Sequence, residues 1–340
     1  MAVRMKDIAR DLGVSVVTVS KVLRNHADIS EETRGRVLRR MKELNYRPNL
    51  AARALVTGRT CSVGLVVPDL VHPFFAEVAK GLSRVLRKKG YSVFIASSEE
   101  DVDLEQQEIE QLIARRVDAL LIASAQVKPD TFAHIDEQQI PYVLIDRRFA
   151  GLTANFVGVD DEEVGRIAVE HLIQQGCQRI AHLRGPEVST ALGRLDGYRR
   201  ALTRHRLPAP REFVAQPARG DDAADASGYE AMRGLLGLSP RPDAVFCYND
   251  PMAMGAMQAI LEAGLRVPQD IAVVGCGNVN YAALLRIPLT SIDQNSAAIG
   301  ERAARAALAL IDAKTPPRPR TVLLQPSLVV RDSSRKRDAA

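Results

Sequence analysis

Four cysteines in 340 residues, Cys61, Cys177, Cys247 and Cys276, stand far apart with no CxxC pair, which argues against a zinc module or a disulfide framework and leaves ordinary buried thiols. No run approaches the ~18 apolar residues of a membrane span, and the first residues lack the apolar stretch and small-residue cleavage site of a secretory signal, so a soluble, cytoplasmic protein is expected. No GxxxxGK[ST] phosphate loop, GxSxG elbow or HExxH helix occurs, and the six histidines show no metal-ligand spacing. The run VVGCGNVN has two glycines at dinucleotide spacing, but Asn280 stands where the third belongs and the run comes late in the chain. No catalytic residue, cofactor or metal is therefore assigned. Internal repeats are absent too.

What is present is unevenly spread. Residues 1–60 hold 13 Lys plus Arg against six Asp plus Glu, a net of +7 in a chain of total +5, which leaves −2 for residues 61–340. The basic surplus belongs to the amino-terminal end alone, as suits a segment that meets phosphates. That end is patterned. Met5 to Leu23, MKDIARDLGVSVVTVSKVL, sets Ile8, Ala9 and Leu12 at helical spacing, stops at Gly13, and restarts after a Ser15 cap with Val19, Val22 and Leu23 on one face. Two short helices bury little, so a third must close the core; Ser30 followed by Glu31 and Glu32 starts one running to about Asn45. In such a helix-turn-helix the second helix enters the major groove, which turns Val16, Val17, Thr18 and Lys21 toward base edges, with Ser15 and Ser20 also expected to bind DNA.

Through GVSVVTVSKVL, and again through LNYRPNLAARAL, the chain resembles the DNA-binding domain of the LacI/GalR family of bacterial transcriptional repressors. The resemblance implies a hinge helix at about 49–56, with Leu55 wedged into the minor groove of the operator; a small residue at Ala52 would let two such helices cross closely while paired leucines kink a base step. It also implies phosphate contacts by Arg24, Ser30, Thr33, Tyr46 and Asn49, which set affinity and not sequence choice. Val16 and Val17 cannot hydrogen-bond, so they pack on apolar edges, above all thymine methyls, leaving Lys21, Thr18 and Arg4 for polar contacts and weighting recognition toward A·T steps. Replacing Lys21 with Ala is expected to cost about 1–3 kcal/mol in binding and to relax selectivity.

After the polar joint Thr57 to Thr60, strand-like apolar runs alternate with amphipathic helices: SVGLVV, YSVFIA, DALLIA, YVLID, then a second series of FVGVD, RIAHLRG, AVFCYND and IAVVGC. Helices are expected from Phe74 to Lys89, near Leu104 to Arg115, up to Gln175, near Arg194 to Arg206, and up to Gly264. Such runs make parallel sheets covered on both faces, here in two doubly wound lobes. They resemble the type I periplasmic-binding-protein fold of the same family's effector core, as do VPDLVHPFFAEVAKGL, RKKGYSVFIASS, VGVDDEEVGRIAVEHLI, RLDGYRRAL and NDPMAMGAMQAI. The fold class is thus an all-α helix-turn-helix head plus hinge helix, joined to a two-lobed α/β, periplasmic-binding-protein-like core. The expected division is residues 1–60, then 61–340 with lobe 1 at about 61–158 and 293–318 and lobe 2 at about 159–290 and 319–332, which assigns both TVLLQP and SLVV to the second lobe. The polar tail 333–340 is expected to fray.

Ligands of open parallel sheets lie beyond the carboxyl ends of the strands. Those ends offer Asp69 and His72, Ser124, Asp146 with Arg147, Asn249 with Asp250, and Asn278. Thr190 and Arg194 open a helix, where N–H groups and a guanidinium suit a hydroxyl-rich or anionic ligand. The resemblance implies that Asp146, Arg194, Asn249 and Gln294 hydrogen-bond the effector and that Phe74 lines its pocket. Arg194 as an interlobe ion pair and Asn249 as a helix cap are the structural alternatives. Two departures from the family pattern, Gly277 in place of a sugar-gripping acid and a small residue near Ala223 in place of an aromatic, predict a roomier, less acidic pocket for a larger or negatively charged ligand.

The function expected is a ligand-responsive transcriptional regulator, a repressor acting as a homodimer on a pseudopalindromic double-stranded operator, with a sugar or sugar derivative as effector and no membrane partner. The alternative is a cytosolic α/β enzyme using the cleft on a nucleotide or sugar; a secreted solute-binding protein and a nucleoid-architectural protein are opposed by the head and by the cleft respectively.

Overall fold

A computed structural model describes residues 3–23, 26–46, 54, 57–129, 132–216 and 224–335. Arg24, Asn49, Ala52, Leu55 and Ala223, and with them nearly all of the expected hinge, lie outside the described residues. The chain divides into two units, Met1–Thr60 and Cys61–Ala340.

The first unit is three helices, α1 (Met5–Leu12), α2 (Val16–Leu23) and α3 (Glu31–Glu43). Gly13 ends α1 at φ 65°, a left-handed conformation that glycine adopts without steric cost, and its N–H reaches the Ala9 and Arg10 carbonyls. Ser15 caps α2 by accepting the Thr18 N–H at 3.0 Å, and Ser30 caps α3 by accepting that of Thr33 at 3.3 Å. Helix α3 stops short of Asn45, which itself turns left-handed at φ 47°. Ile8, Ala9, Val19, Val22, Val37 and Met41 fill the small core.

The second unit holds two six-stranded sheets. β1 (Ser62–Val67), β2 (Ser92–Ser97), β3 (Ala119–Ile122), β4 (Tyr142–Ile145), β5 (Asn155–Val159) and β11 (Thr321–Leu324) form the first, in the order β11-β5-β4-β3-β1-β2 and parallel throughout. β6 (Ile180–Leu183), β7 (Val214–Ala215), β8 (Ala244–Cys247), β9 (Ala272–Cys276), β10 (Thr290–Asp293) and β12 (Ser327–Val329) form the second, in the order β12-β10-β9-β8-β6-β7, with only β12 antiparallel. SVGLVV, AVFC and AVVGC are buried at every position because helices cover both faces.

The backbone crosses between lobes three times: after β5, after β10 and after β11. This corrects the expected division, since TVLL pairs with β5 in the first sheet, Thr321 beside Phe156, and only SLV joins the second. FVGV likewise belongs to the first sheet, although it heads the second series of runs. The returning helix Ser296–Asp312 packs on helix Pro73–Lys88 with backbones in contact: a Cβ at Gly81 would lie 2.1 Å from the Ala297 oxygen, and one at Gly300 2.0 Å from that of Val78. Larger side chains there would prise this helix off lobe 1.

The first residues of the expected tail also differ from expectation. Ser333 and Ser334 are fully buried. The Ser333 hydroxyl donates to the Val273 carbonyl at 2.7 Å and accepts the Thr290 N–H at 2.8 Å, and the Ser334 hydroxyl lies 2.7 Å from both Thr290 Oγ1 and His171 Nε2. Polar residues bury here because strand edges and side chains satisfy them completely. Among the described residues no helix is long and apolar enough to cross a membrane, and no group of acids, histidines and cysteines could hold a metal ion.

Candidate functional site

Two surfaces are candidates for recognition, one on each unit. On the head, Ser15, Val16 and Val17 are exposed at the start of α2, the two valines by 43% and 62%. Thr18 and Ser20 are half-buried on the same helix. The polar groups of this face are engaged within the head. Thr18 Oγ1 lies 2.9 Å from Ser15 Oγ, and the Lys21 ammonium donates to the Asp28 carboxylate. Arg4 caps α1, its N–H bonded to Asp7 at 2.9 Å, while its side chain is exposed. Ser30 and Thr33 share a hydroxyl bond of 3.0 Å at the start of α3, and Tyr46 packs against the head core.

In the core unit a cleft runs between the lobes at the carboxyl ends of the strands, with about 430 Å³ of empty space when its open mouth is included. Seven of the ten expected effector residues line it: Asp69, His72 and Phe74, Asp146, Arg194, Asn249 and Gln294. Three do not. Ser124 is buried behind it, donating to Glu105 at 2.6 Å; Thr190 lies behind Tyr248, hydroxyl to hydroxyl at 2.8 Å; and Asn278 is tied to Asp293 and Arg331 at 3.1 and 2.7 Å. Each sits at a strand or helix end as the sequence places it, with its polar atoms spent on the scaffold.

Glu100, Phe75 and Tyr248 line the cleft unforeseen, together with Arg147 and Cys276 from the strand ends. Glu100 follows the carboxyl end of β2 in SSEED just as Asp69 follows β1, so its position was readable; its partner was not. Its carboxylate takes a two-pronged contact from Arg147 at 2.8 and 2.6 Å, and Arg147 also donates to the Ser124 carbonyl at 3.0 Å. Asp69, Glu100 and Asp146 set three carboxylates against the guanidiniums of Arg147 and Arg194.

Arg194 is almost fully buried. Its Nε donates to Asp161 at 3.0 Å, its Nη1 to the Tyr248 carbonyl at 2.6 Å, and its guanidinium stacks 4.6 Å from the Tyr248 ring centre. Asp161 belongs to the same lobe, so the ion pair lies within lobe 2 and does not bridge the lobes. Asn249 does cap its helix, accepting the Met252 N–H at 2.9 Å, while still facing the cleft. Asp146 sits in left-handed backbone at φ 62°, and burial raises its pKa against the pull of both arginines.

His72 accepts the Phe74 N–H on Nδ1 at 3.3 Å, and burial, aided by the charges of Arg147 and Arg194, pushes its pKa down to about 4. The neutral ring thus carries its proton on Nε2. Two buried nitrogens of the cleft have no protein partner, Arg147 Nε and Gln294 Nε2. Beneath the site Asp250 accepts from Ser291 at 2.6 Å and from the Val279 N–H at 2.8 Å, and burial raises its pKa to about 6. Only glycine fits over it, since a Cβ at Gly275 would lie 2.2 Å from its Oδ1.

Residues 4–49 match the bacterial regulatory proteins of the lacI family, and residues 169–334 the periplasmic binding protein-like domain. The HTH-type transcriptional repressor PurR of Mannheimia succiniciproducens is 34% identical over 98% of this chain and 98% of its own length. The PurR of Escherichia coli O1:K1 / APEC is 33% identical over 97% and 96%. The lac repressor dimer bound to operator and the anti-inducer ONPF superposes with a TM-score of 0.85 at 30% identity, covering 98% of this chain and 99% of its own. The complex of the transcriptional regulator CelR with cellobiose gives 0.74 at 31%, covering 97% and 99%. With a basic three-helix reader and a two-lobed cleft on one polypeptide, the chain belongs to the lacI family of bacterial regulatory proteins and is a DNA-binding transcriptional regulator controlled by a small-molecule effector.

Proposed function

We propose that the protein is a cytoplasmic repressor that binds a pseudopalindromic operator as a homodimer, and that a sugar or sugar derivative held between the lobes sets its affinity for DNA. The carrying observation is the cleft: buried guanidiniums and carboxylates, with Arg147 Nε and Gln294 Nε2 unpaired, call for a hydroxyl- or carbonyl-rich occupant that accepts from both. Asp69, Asp146 and Glu100 favour hydroxyl donors, and the Phe74, Phe75 and His72 rings, 5.0–6.5 Å apart, offer an apolar wall to a sugar face. The lac repressor with ONPF and CelR with cellobiose support a carbohydrate of more than minimal size. Binding without turnover is supported by the state of the reactive groups. The Cys276 thiol is pushed up to about 12 by burial, and a His72 with pKa near 4 is a poor general base at neutral pH.

On the head, Val16 and Val17 would meet thymine methyls and Lys21, Thr18, Ser20 and Arg4 polar edges; Ser15, Arg24, Ser30, Thr33, Tyr46 and Asn49 would hold phosphates, and Ala52 and Leu55 would form the hinge wedge. Dimerisation is supported by the likeness to the lac repressor dimer bound to operator. Selection from random duplexes by the full chain should enrich an A·T-weighted pseudopalindrome, with a dimer in light scattering. Enrichment of no duplex, or of a lone half-site by a monomer, would overturn the reading. Calorimetry comparing neutral mono- and disaccharides with uronates and sugar phosphates identifies the effector, and binding of none of them would remove the carbohydrate assignment.

A further inference from the structure

Lys21 is the cation that α2 presents beside Val16 and Val17, and it is not free: its ammonium is bonded to Asp28, seven residues on, in the turn between α2 and α3. That turn is anchored. Arg34 of α3 donates to the His26 carbonyl at 2.8 Å, and the His26 N–H closes on the Lys21 carbonyl at 3.1 Å. Asp28 lies two residues beyond that anchored His26, with its side chain 54% exposed and that of Lys21 36% exposed, so both ends of the pair are open to an approaching duplex. The hydrogen bond from Lys21 holds the Asp28 carboxyl below its usual range, so the carboxylate is charged at any pH at which DNA is bound.

An unpaired lysine on a reading helix bonds any phosphate and adds affinity without selectivity. A paired one is conditional. We propose that Asp28 is a specificity-determining, positioning residue that acts through Lys21, holding its ammonium in one place and penalising duplexes that offer it no base acceptor. An ammonium has three N–H donors, so on a matching site Lys21 keeps Asp28 and bonds a base edge with another. On a non-matching duplex it either leaves Asp28 for a phosphate or leaves the carboxylate facing phosphates, and both cost affinity. Discrimination then arises from a built-in repulsion as well as an attraction. The inference rests on the proposed approach of α2 to base edges.

The test measures the affinity of the full-length protein, by fluorescence anisotropy over a range of salt, for the duplex it selects from a random pool and for a shuffled duplex of the same composition. Asp28→Asn, an exposed near-isosteric change, should tighten binding to the shuffled duplex about two- to fivefold, the scale of an exposed ion pair. The ratio of selected to shuffled affinity should fall by a similar factor, and the salt slope on the shuffled duplex should steepen by about one. In a Lys21→Ala background the same change should leave the ratio unmoved. An unchanged ratio in the single variant, or an equal change in the Lys21→Ala background, would overturn the role of Asp28. Failure of the wild-type chain to select any duplex would instead remove the proposed reading face itself.

Discussion

The head and the core invert the usual partition of side chains in opposite ways. The head, with six buried core residues, leaves two valines uncovered on its reading helix and pairs the neighbouring Thr18 and Lys21 with its own groups. The core, with far more apolar side chains to hide, buries charge where its two sheets meet: Arg147, Arg194 and Asp146 lie inside, with Asp161 mostly covered beside them. The difference follows from what each surface meets. A duplex is large, charged and hydrated, so an exposed apolar face beside positive charge is covered only on binding. A small effector must be surrounded, and groups that hold it strongly must first be taken out of water and held in place by one another.

Breaking the core side of that contrast should have the largest effect. Arg194→Ala removes the cation that Asp161 and the Tyr248 carbonyl share, and leaves a buried carboxylate uncompensated; a loss of about 3–5 kcal/mol in urea denaturation of the core transition is expected, with effector binding abolished. A chain ended at Asp332 lacks the two buried serines that tie β9, β10 and His171 together, and should lose about 1–3 kcal/mol from the same transition.

His182 sharpens the contrast by pH. It is fully buried, stacked at 4.8 Å on Phe246 and 5.4 Å on Tyr198, bonded through Nδ1 to the Phe246 carbonyl, with Nε2 unpartnered, and burial lowers its pKa to about 4. The unfolded state binds the proton more tightly, so this residue's share of stability is full above pH 6.5 and lost as the pH falls toward 4. Acidification over that window should therefore cost the wild-type core about 1.4 kcal/mol per pH unit more than it costs His182→Phe, read from melting curves. The smallest effect belongs to the head: Ser30→Ala deletes the cap of α3 and should cost about 1 kcal/mol in the head transition while leaving the core transition in place.

Local signals carried most of the fold. Gly13, Ser15 and Ser30 mark helix ends through backbone chemistry that acts within four residues, and apolar runs such as SVGLVV mark strands because burial on both faces leaves no polar alternation. What lay beyond the sequence was set by distant partners. TVLL has the same alternation whichever sheet it joins, and only its neighbour β5 decides. Ser333 and Ser334 read as tail because nothing in the sequence shows that Thr290 and Val273 await them. In the cleft, strand ends located Asp146 and Asn249 and the family resemblance pointed to Gln294, whereas the pairing of Glu100 with Arg147 joins positions 47 residues apart. The Lys21–Asp28 pair joins α2 to the turn beyond its end, so the periodicity of a single helix does not report it.

Communication between the cleft and the DNA-binding unit is measurable through linkage: an effector alters DNA affinity only through its different affinity for the two arrangements of the protein. The direct measurement is the dissociation constant of the full chain for its selected duplex, with and without a saturating amount of the sugar or sugar derivative that calorimetry shows to bind. A change of about five- to 150-fold that disappears in Arg194→Ala is predicted. An affinity for the duplex that is the same with the cleft filled and empty would contradict it.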